Sequence, residues 1–244
     1  MSQENPLHHF ELEPIVPIEV MGVDLSLNKA IFAMWGGMAI VFILFMIVVK
    51  GGLKTVPGKM QNIAELFIEF IKGMVGEFIG KEGMKYFPFV ATLFFFIMSC
   101  NLIGLIPGSY TITSQLVVTG IFATIIFIMT LIIGFAKHGA HFLSILVPPG
   151  VPKIMIPVMV PIEMISMLAR PLSLSVRLFA NMTAGHTVLA VLFGLVLTAP
   201  GWISWMPFGF TIVINGLEIA IALIQAYIFT TLTCVYIGDV IKLH

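Results

Sequence analysis

The stretch that decides the reading is Pro171-Leu-Ser-Leu-Ser-Val-Arg177-Leu-Phe-Ala-Asn181-Met-Thr-Ala-Gly-His186. It lies inside a run from about Ile154 to Leu197 that is otherwise overwhelmingly apolar. Arginine stays charged at any physiological pH, so it cannot escape a low-dielectric site by losing its proton. Setting one in mid-membrane costs roughly 2.5–3.5 kcal/mol on insertion scales, and an ionisable group carried at that cost is a functional candidate by default. Arg177 is therefore the first residue to explain.

The surrounding chain is membrane-like throughout. Of its 244 residues 59% are hydrophobic and only 10% charged, and the mean hydropathy is +1.09; soluble domains carry about 25% charged residues. Several stretches reach the roughly 20 apolar residues that a bilayer-spanning helix needs. The expected fold class is all-α integral membrane, with about five membrane segments and one interfacial helix. Residues 29–244 read as a single integral membrane domain behind an external arm, residues 1–28.

The charges are unevenly spread although they sum to zero. Lys29 is the only base before residue 50, after which Lys50, Lys54, Lys59, Lys72, Lys81 and Lys85 crowd the first interhelical segment. Lys137 and Lys153 share a later loop, and Lys242 lies near the C-terminus. The loop Pro107–Ser114 and the tip Pro200–Pro207 carry no Lys or Arg. The positive-inside rule then puts the N-terminus outside and the C-terminus in the cytoplasm. The first 28 residues hold five acids and no base, unlike the positive start of a signal peptide. Nothing in the pattern suggests nucleic-acid binding. Cys100 and Cys234 lie in apolar segments and read as small buried hydrophobes rather than a disulfide or metal pair.

In order, the arm is read as irregular and polar. Its His8, His9 and Glu11 could ligate a metal, but a solvated arm is the simpler reading, so no metal or cofactor is assigned. A first span is expected at about residues 30–49. Over residues 60–79, Ile63, Phe67, Phe70, Ile71, Met74 and Phe78 recur at helical spacing with Glu65, Glu69, Lys72 and Glu77 between them. That pattern suits an amphipathic helix in the cytoplasmic interface, with a soluble partner-binding helix as the rival. Further spans follow at about residues 87–106 and 116–136, joined by the turn signal Pro107-Gly108. Asn101 and Gln115 fit interhelical hydrogen bonding. The segment Lys137-His-Gly-Ala-His141 precedes the breaker Pro148-Pro-Gly-Val-Pro152.

The last two segments exceed an ordinary span. As straight helices, residues 154–198 would extend roughly 65 Å and residues 208–240 roughly 50 Å, against a hydrocarbon core of about 30 Å. The tip Pro200-Gly-Trp-Ile-Ser-Trp-Met-Pro207 turns the chain, and its two Trp suit the interface. A tilted antiparallel hairpin over about residues 154–240 is expected.

One face of that hairpin is polar. At 100° per residue, Glu163, Ser166, Arg170, Ser173 and Asn181 all fall within about 40° of Arg177 on one face. Serines allow close helix approach, so packing alone accounts for them, but it does not account for Arg177. Folding the hairpin about residues 201–202 brings Arg177 level with Gln225, His186 with Glu218, and Glu163 near Asp239. These are the only three acids after residue 82, and each meets a polar group. Intramembrane carboxylates and histidines in series are the parts of a proton relay. His186 and Glu218 make one titratable pair beyond Arg177, and Glu163 a second position on the cytoplasmic side. Two half-channels separated by a fixed positive charge need a moving partner; a structural network of buried ion pairs is the competing account.

At these residues the chain resembles subunit a of the membrane sector of F-type ATP synthase, in the form found in alphaproteobacteria and mitochondria. The resemblance is carried by the stretch Pro171–His186 and by Gln225-Ala-Tyr-Ile-Phe-Thr-Thr-Leu-Thr-Cys-Val-Tyr236, with support from Asn101-Leu-Ile-Gly-Leu-Ile-Pro107 and Lys137-His-Gly-Ala-His-Phe142. It covers about residues 86–240. It implies that Arg177 is the essential arginine facing the ring of c subunits, that Gln225 is its polar partner on the last helix, and that Asn181 is the asparagine that follows it. Glu163 and Ser166, with Ser173 and Asp239 beside them, would line the cytoplasmic half-channel; His186 and Glu218 the outer one. The best-known bacterial pattern has this acid and this imidazole exchanged, which keeps one of each at equal depth. Partners implied are the c-ring, peripheral-stalk subunits of the b and b′ type, the remaining ATP synthase subunits and the lipid bilayer. The implied location is the bacterial inner membrane.

Two other classes compete. A secondary transporter could bind an anion at Arg177, but such folds usually show internal repeats, and no second copy of the Arg177 stretch occurs. A structural scaffold would have the helix over residues 60–79 as its best feature. No nucleophile triad, phosphate loop or CxxC motif is present, so no chemistry is expected within the chain itself.

Overall fold

A computed structural model describes residues 14–16, 19–20, 23–24, 27–52, 57–106, 112–147 and 152–242. His8, His9 and Glu11, the Pro107-Gly108 turn, and residues 148–151 of the proline-rich breaker lie outside the described residues. Six α-helices carry the fold: α1 (Lys29–Lys50), α2 (Lys59–Phe78), α3 (Phe87–Gly104), α4 (Leu116–His138), α5 (Ile156–Thr198) and α6 (Trp205–Ile241). Among the described residues, five helical segments are long and apolar enough to cross a membrane, over residues 31–50, 81–104, 116–146, 156–198 and 205–241. With α2 as the sixth and amphipathic helix, the chain is an all-α integral membrane protein. The expectation of an irregular arm needs one correction. Pro14–Val16 pairs with Leu27–Asn28, and Glu19–Val20 with Val23–Asp24, both antiparallel; the β-branched Val and Ile here favour extended backbone.

The contacts divide the chain into two compact units. The first comprises residues 1–53, 95–115 and 178–226. Here α1 approaches α3 at Gly37, where a Cβ would lie 3.3 Å from Cys100 Sγ and from Ser99 Oγ, and the Phe45 and Phe95 rings meet edge-on at 5.0 Å. Small residues at a helix crossing allow this approach, the usual means of packing where solvent supplies no hydrophobic drive. Elsewhere α1 exposes Phe42, Ile43, Ile47 and Val49, as a lipid-facing helix does once its own backbone bonds are satisfied.

The second unit comprises residues 54–94, 116–177 and 227–244. Its α2 buries Ile71, Met74 and Val75, while Ile63 and Leu66 remain exposed. Phe67 and Phe70 each stand 6.2 Å from Phe94 of α3, and Phe70 5.7 Å from Tyr227 of α6. At the end of α2, a Cβ on Gly238 would lie 2.6 Å from the Phe78 carbonyl oxygen, and Lys242 Nζ donates to that same oxygen at 3.1 Å. After α4 the chain doubles back as a 3-10 segment, Gly139–Leu146, with Gly139 at φ +56°. This lays the Phe142 ring on Gly134, where any Cβ would collide with it. Cys100 and Cys234 are both buried free thiols.

Candidate functional site

The polar residues of α5 and α6 gather into one cluster in each unit. In the first unit, Gln225 is 1% exposed and accepts a hydrogen bond through Oε1 from Asn181 Nδ2 at 2.9 Å. Asn181 lies one helical turn beyond Arg177 on α5. Glu218 is 7% exposed, and neither of its carboxylate oxygens has a hydrogen-bond partner among the described residues. Its Oε1 occupies the space where a Cβ on Gly185 would go. The glycine beside His186 thus makes room for the acid. His186 itself is half-buried. Asn101 of α3 is fully buried and donates to the Ala222 carbonyl at 3.3 Å. The Asn101 Oδ1, Gln225 Nε2 and Thr183 Oγ1 atoms are buried without partners among the described residues. Buried polar atoms normally find partners, so this group of atoms is unlike the rest of the helix packing.

In the second unit, Arg170 is the centre. Its Nη1 donates to Asp239 Oδ2 at 3.3 Å, its Nη2 lies 3.9 Å from Glu163 Oε1, and its Cζ stands 5.5 Å from the centre of the Tyr236 ring. Glu163 and Asp239, set near one depth by the fold-back of the sequence, are thus both held by one guanidinium. Ser166, Ser173 and Arg177 are exposed on α5. Among the described residues Arg177 makes no ion pair or hydrogen bond. Ser175, off that stripe, is buried and shares a 3.1 Å hydrogen bond with Thr119 of α4.

Sequence reasoning gave no role to Arg170, Gly185 or Thr183, whereas the interhelical hydrogen bond expected of Asn101 is the one it makes to the Ala222 carbonyl. Arg170 had a signal: it is seven residues from both Glu163 and Arg177, hence on the same face as each. Gly185 had none beyond its neighbour His186, because a close approach shows only when the opposing helix is in place.

Long apolar helices, a buried acid without a hydrogen-bond partner among the described residues, and a charged side chain exposed midway along one of those helices point to a class: a membrane subunit that handles ions or protons. The sequence profile of the family described as ATP synthase A chain matches residues 31–238. The chain is 49% identical over 243 residues to ATP synthase subunit a of Magnetococcus marinus, covering 98% of this chain and 94% of that one. It is 45% identical to that of Rhizobium etli, at 97% coverage of each, and 43% identical to that of Rhodospirillum rubrum, at 98% and 99% coverage. The chain belongs to the ATP synthase A chain family. It is a multi-pass bacterial membrane subunit of the proton-translocating F-type ATP synthase, without catalysis of its own.

Proposed function

We propose that this subunit is the stator through which protons reach and leave the c-ring, with Arg177 facing that ring. The observation that carries the reading is Arg177 itself: an exposed guanidinium, with no ion pair or hydrogen bond among the described residues, within a 43-residue helix that is otherwise largely apolar. Charge facing hydrocarbon is costly, and such residues face protein or a water-filled cavity; a partner with a matching carboxylate meets both needs. Along α5, Arg177 falls between Glu163 and Arg170 on one side and Asn181 and His186 on the other. Glu218, His186, Asn181 and Gln225 form the outer half-channel. Glu163, Ser166, Ser173 and Asp239 form the cytoplasmic one. The N-terminus is outside and the C-terminus cytoplasmic, as the lysine distribution supports, and residues 29–244 act as one membrane domain. Peripheral-stalk subunits of the b and b′ type hold it against the ring.

The mechanism follows from charge. A protonated, neutral carboxyl on the ring can face lipid, whereas its ionised form cannot. Beside Arg177 the ionised form is stabilised by the opposite charge. The proton leaves by one half-channel, another arrives from the other, and the ring advances. The fixed charge of Arg177 prevents a direct hop between the half-channels. Each proton carried through the potential supplies about 2.3 kcal/mol per 100 mV.

The test is ATP-driven proton pumping in inverted vesicles holding the whole complex, wild type against Arg177→Ala. Loss of pumping with subunit a at its normal level in the complex is expected. Wild-type pumping by the variant would make the polar face structural and overturn the reading.

A further inference from the structure

We propose that Arg170 is a positioning residue of the cytoplasmic half-channel, bridging Glu163 of α5 and Asp239 of α6 so that the two carboxylates act as one cluster of net charge −1. The inference deepens the stator reading and rests on it. Three contacts converge on this guanidinium from two helices: Asp239 Oδ2 at 3.3 Å, Glu163 Oε1 at 3.9 Å, and the Tyr236 ring at 5.5 Å. The guanidinium offers separate nitrogens to the two acids while lying over the ring, but what the cluster needs from it is one positive charge between two carboxylates. Without it, two like charges would stand at one end of the hairpin and repel each other and any further anion.

Beside Arg170 is a small pocket of 20 Å³, lined mostly by apolar side chains such as Ile126, Phe127, Leu131 and Leu174, with Thr130 and Tyr236 among them. Pro171 lies inside α5 and has no backbone N–H, so the Met167 carbonyl loses its helical donor. The side chains of Arg170, Glu163 and Asp239 are 35%, 23% and 49% exposed, so none of the three is sealed within this chain. Arg170 thus differs from Arg177: its charge is already matched within the chain, and its place is to hold acids rather than to face the ring.

The experiment compares ATP-driven pumping by inverted vesicles holding the complete complex, with subunit a quantified in the purified complex. Arg170→Gln leaves the acids at net −2 and is expected to slow pumping about tenfold, the rate equivalent of one 1.4 kcal/mol change in barrier. Arg170→Lys, which keeps the charge, is expected to retain half the wild-type rate or more. The double variant Arg170→Gln, Asp239→Asn returns the cluster to net −1 and is expected to pump several-fold faster than Arg170→Gln alone. A structural role predicts the reverse, since the double variant loses more contacts. The proposal falls if Arg170→Gln pumps normally, or if the assembled double variant is as slow as the single one. Should Arg170→Gln fail to assemble, Arg170→Lys decides: assembled and pumping supports the proposal, assembled and inactive overturns it. Arg177→Ala in the same series separates the two readings. If it pumps normally both fall; if it is inactive while Arg170→Gln pumps normally, only the present proposal does.

Discussion

Replacing Gly185 by Ala perturbs the outer cluster at one atom. The new Cβ would overlap Glu218 Oε1 and lie 3.0 Å from its Cδ and 3.2 Å from its Cγ. Glu218 is 7% exposed, so its carboxylate has to swing away or α5 and α6 have to part. Overpacking of this kind costs about 1–3 kcal/mol, partly offset by the gain of up to about 1 kcal/mol in helix propensity from Gly to Ala. The stability loss is therefore small, and the complex should assemble. The functional loss should be larger, because a misplacement of about 1 Å in a reacting group can cost a hundredfold. Pumping by inverted vesicles is expected to fall tenfold or more on that scale. Gly194→Ala is the control: it lies on the same helix with nothing within 4 Å of the added Cβ, and it should pump normally. Glu218→Asp on the Gly185→Ala background shortens the acid and should recover part of the rate. If Gly185→Ala pumps like Gly194→Ala, the close approach has no functional weight and the reasoning fails.

Two further predictions rest on burial. Asn181→Ala should lower the melting temperature of the purified complex more than Gln225→Leu does. The first strands Gln225 Oε1, whose side chain is buried, at a cost of about 1–3 kcal/mol, whereas the second leaves an exposed amide to find water or a partner. Equal losses would refute the ranking. Gly238→Ala sets a Cβ 2.6 Å from the Phe78 carbonyl, a backbone atom that cannot rotate aside. It should reduce the amount of subunit a in membranes on immunoblots, while Gly216→Ala, with nothing within 4 Å, should not.

Much of the fold was legible because the bilayer imposes simple lengths. Runs of about 20 apolar residues marked the spans near their observed ends, and the 3.6-residue period separated α2 from them. The long α5 and α6 followed from the uncharged tip between two overlong runs. The arm was misread because strands of two or three residues are set by pairing partners, not by a pattern within so short a stretch. At the clusters, counting back from the tip placed acids near bases but resolved depth only to about a helical turn. Gln225 was set level with Arg177, yet the residue it bonds is Asn181, one turn further on. Counting also could not tell which arginine of the stripe is paired. Arg170 and Arg177 look alike on a helical wheel, and only the position of Asp239 on α6 distinguishes a matched charge from an unmatched one.

The most direct test of the stator account is passive proton flow through the membrane sector alone, reconstituted in liposomes under a potassium diffusion potential. With Arg177→Ala the account predicts a measurable leak that does not require the ring to turn, persisting when the ring is cross-linked to the stator. Wild-type sectors should stop conducting under the same cross-link. If cross-linked Arg177→Ala sectors are as tight as cross-linked wild type, Arg177 is not the barrier between two half-channels, and the central claim is wrong.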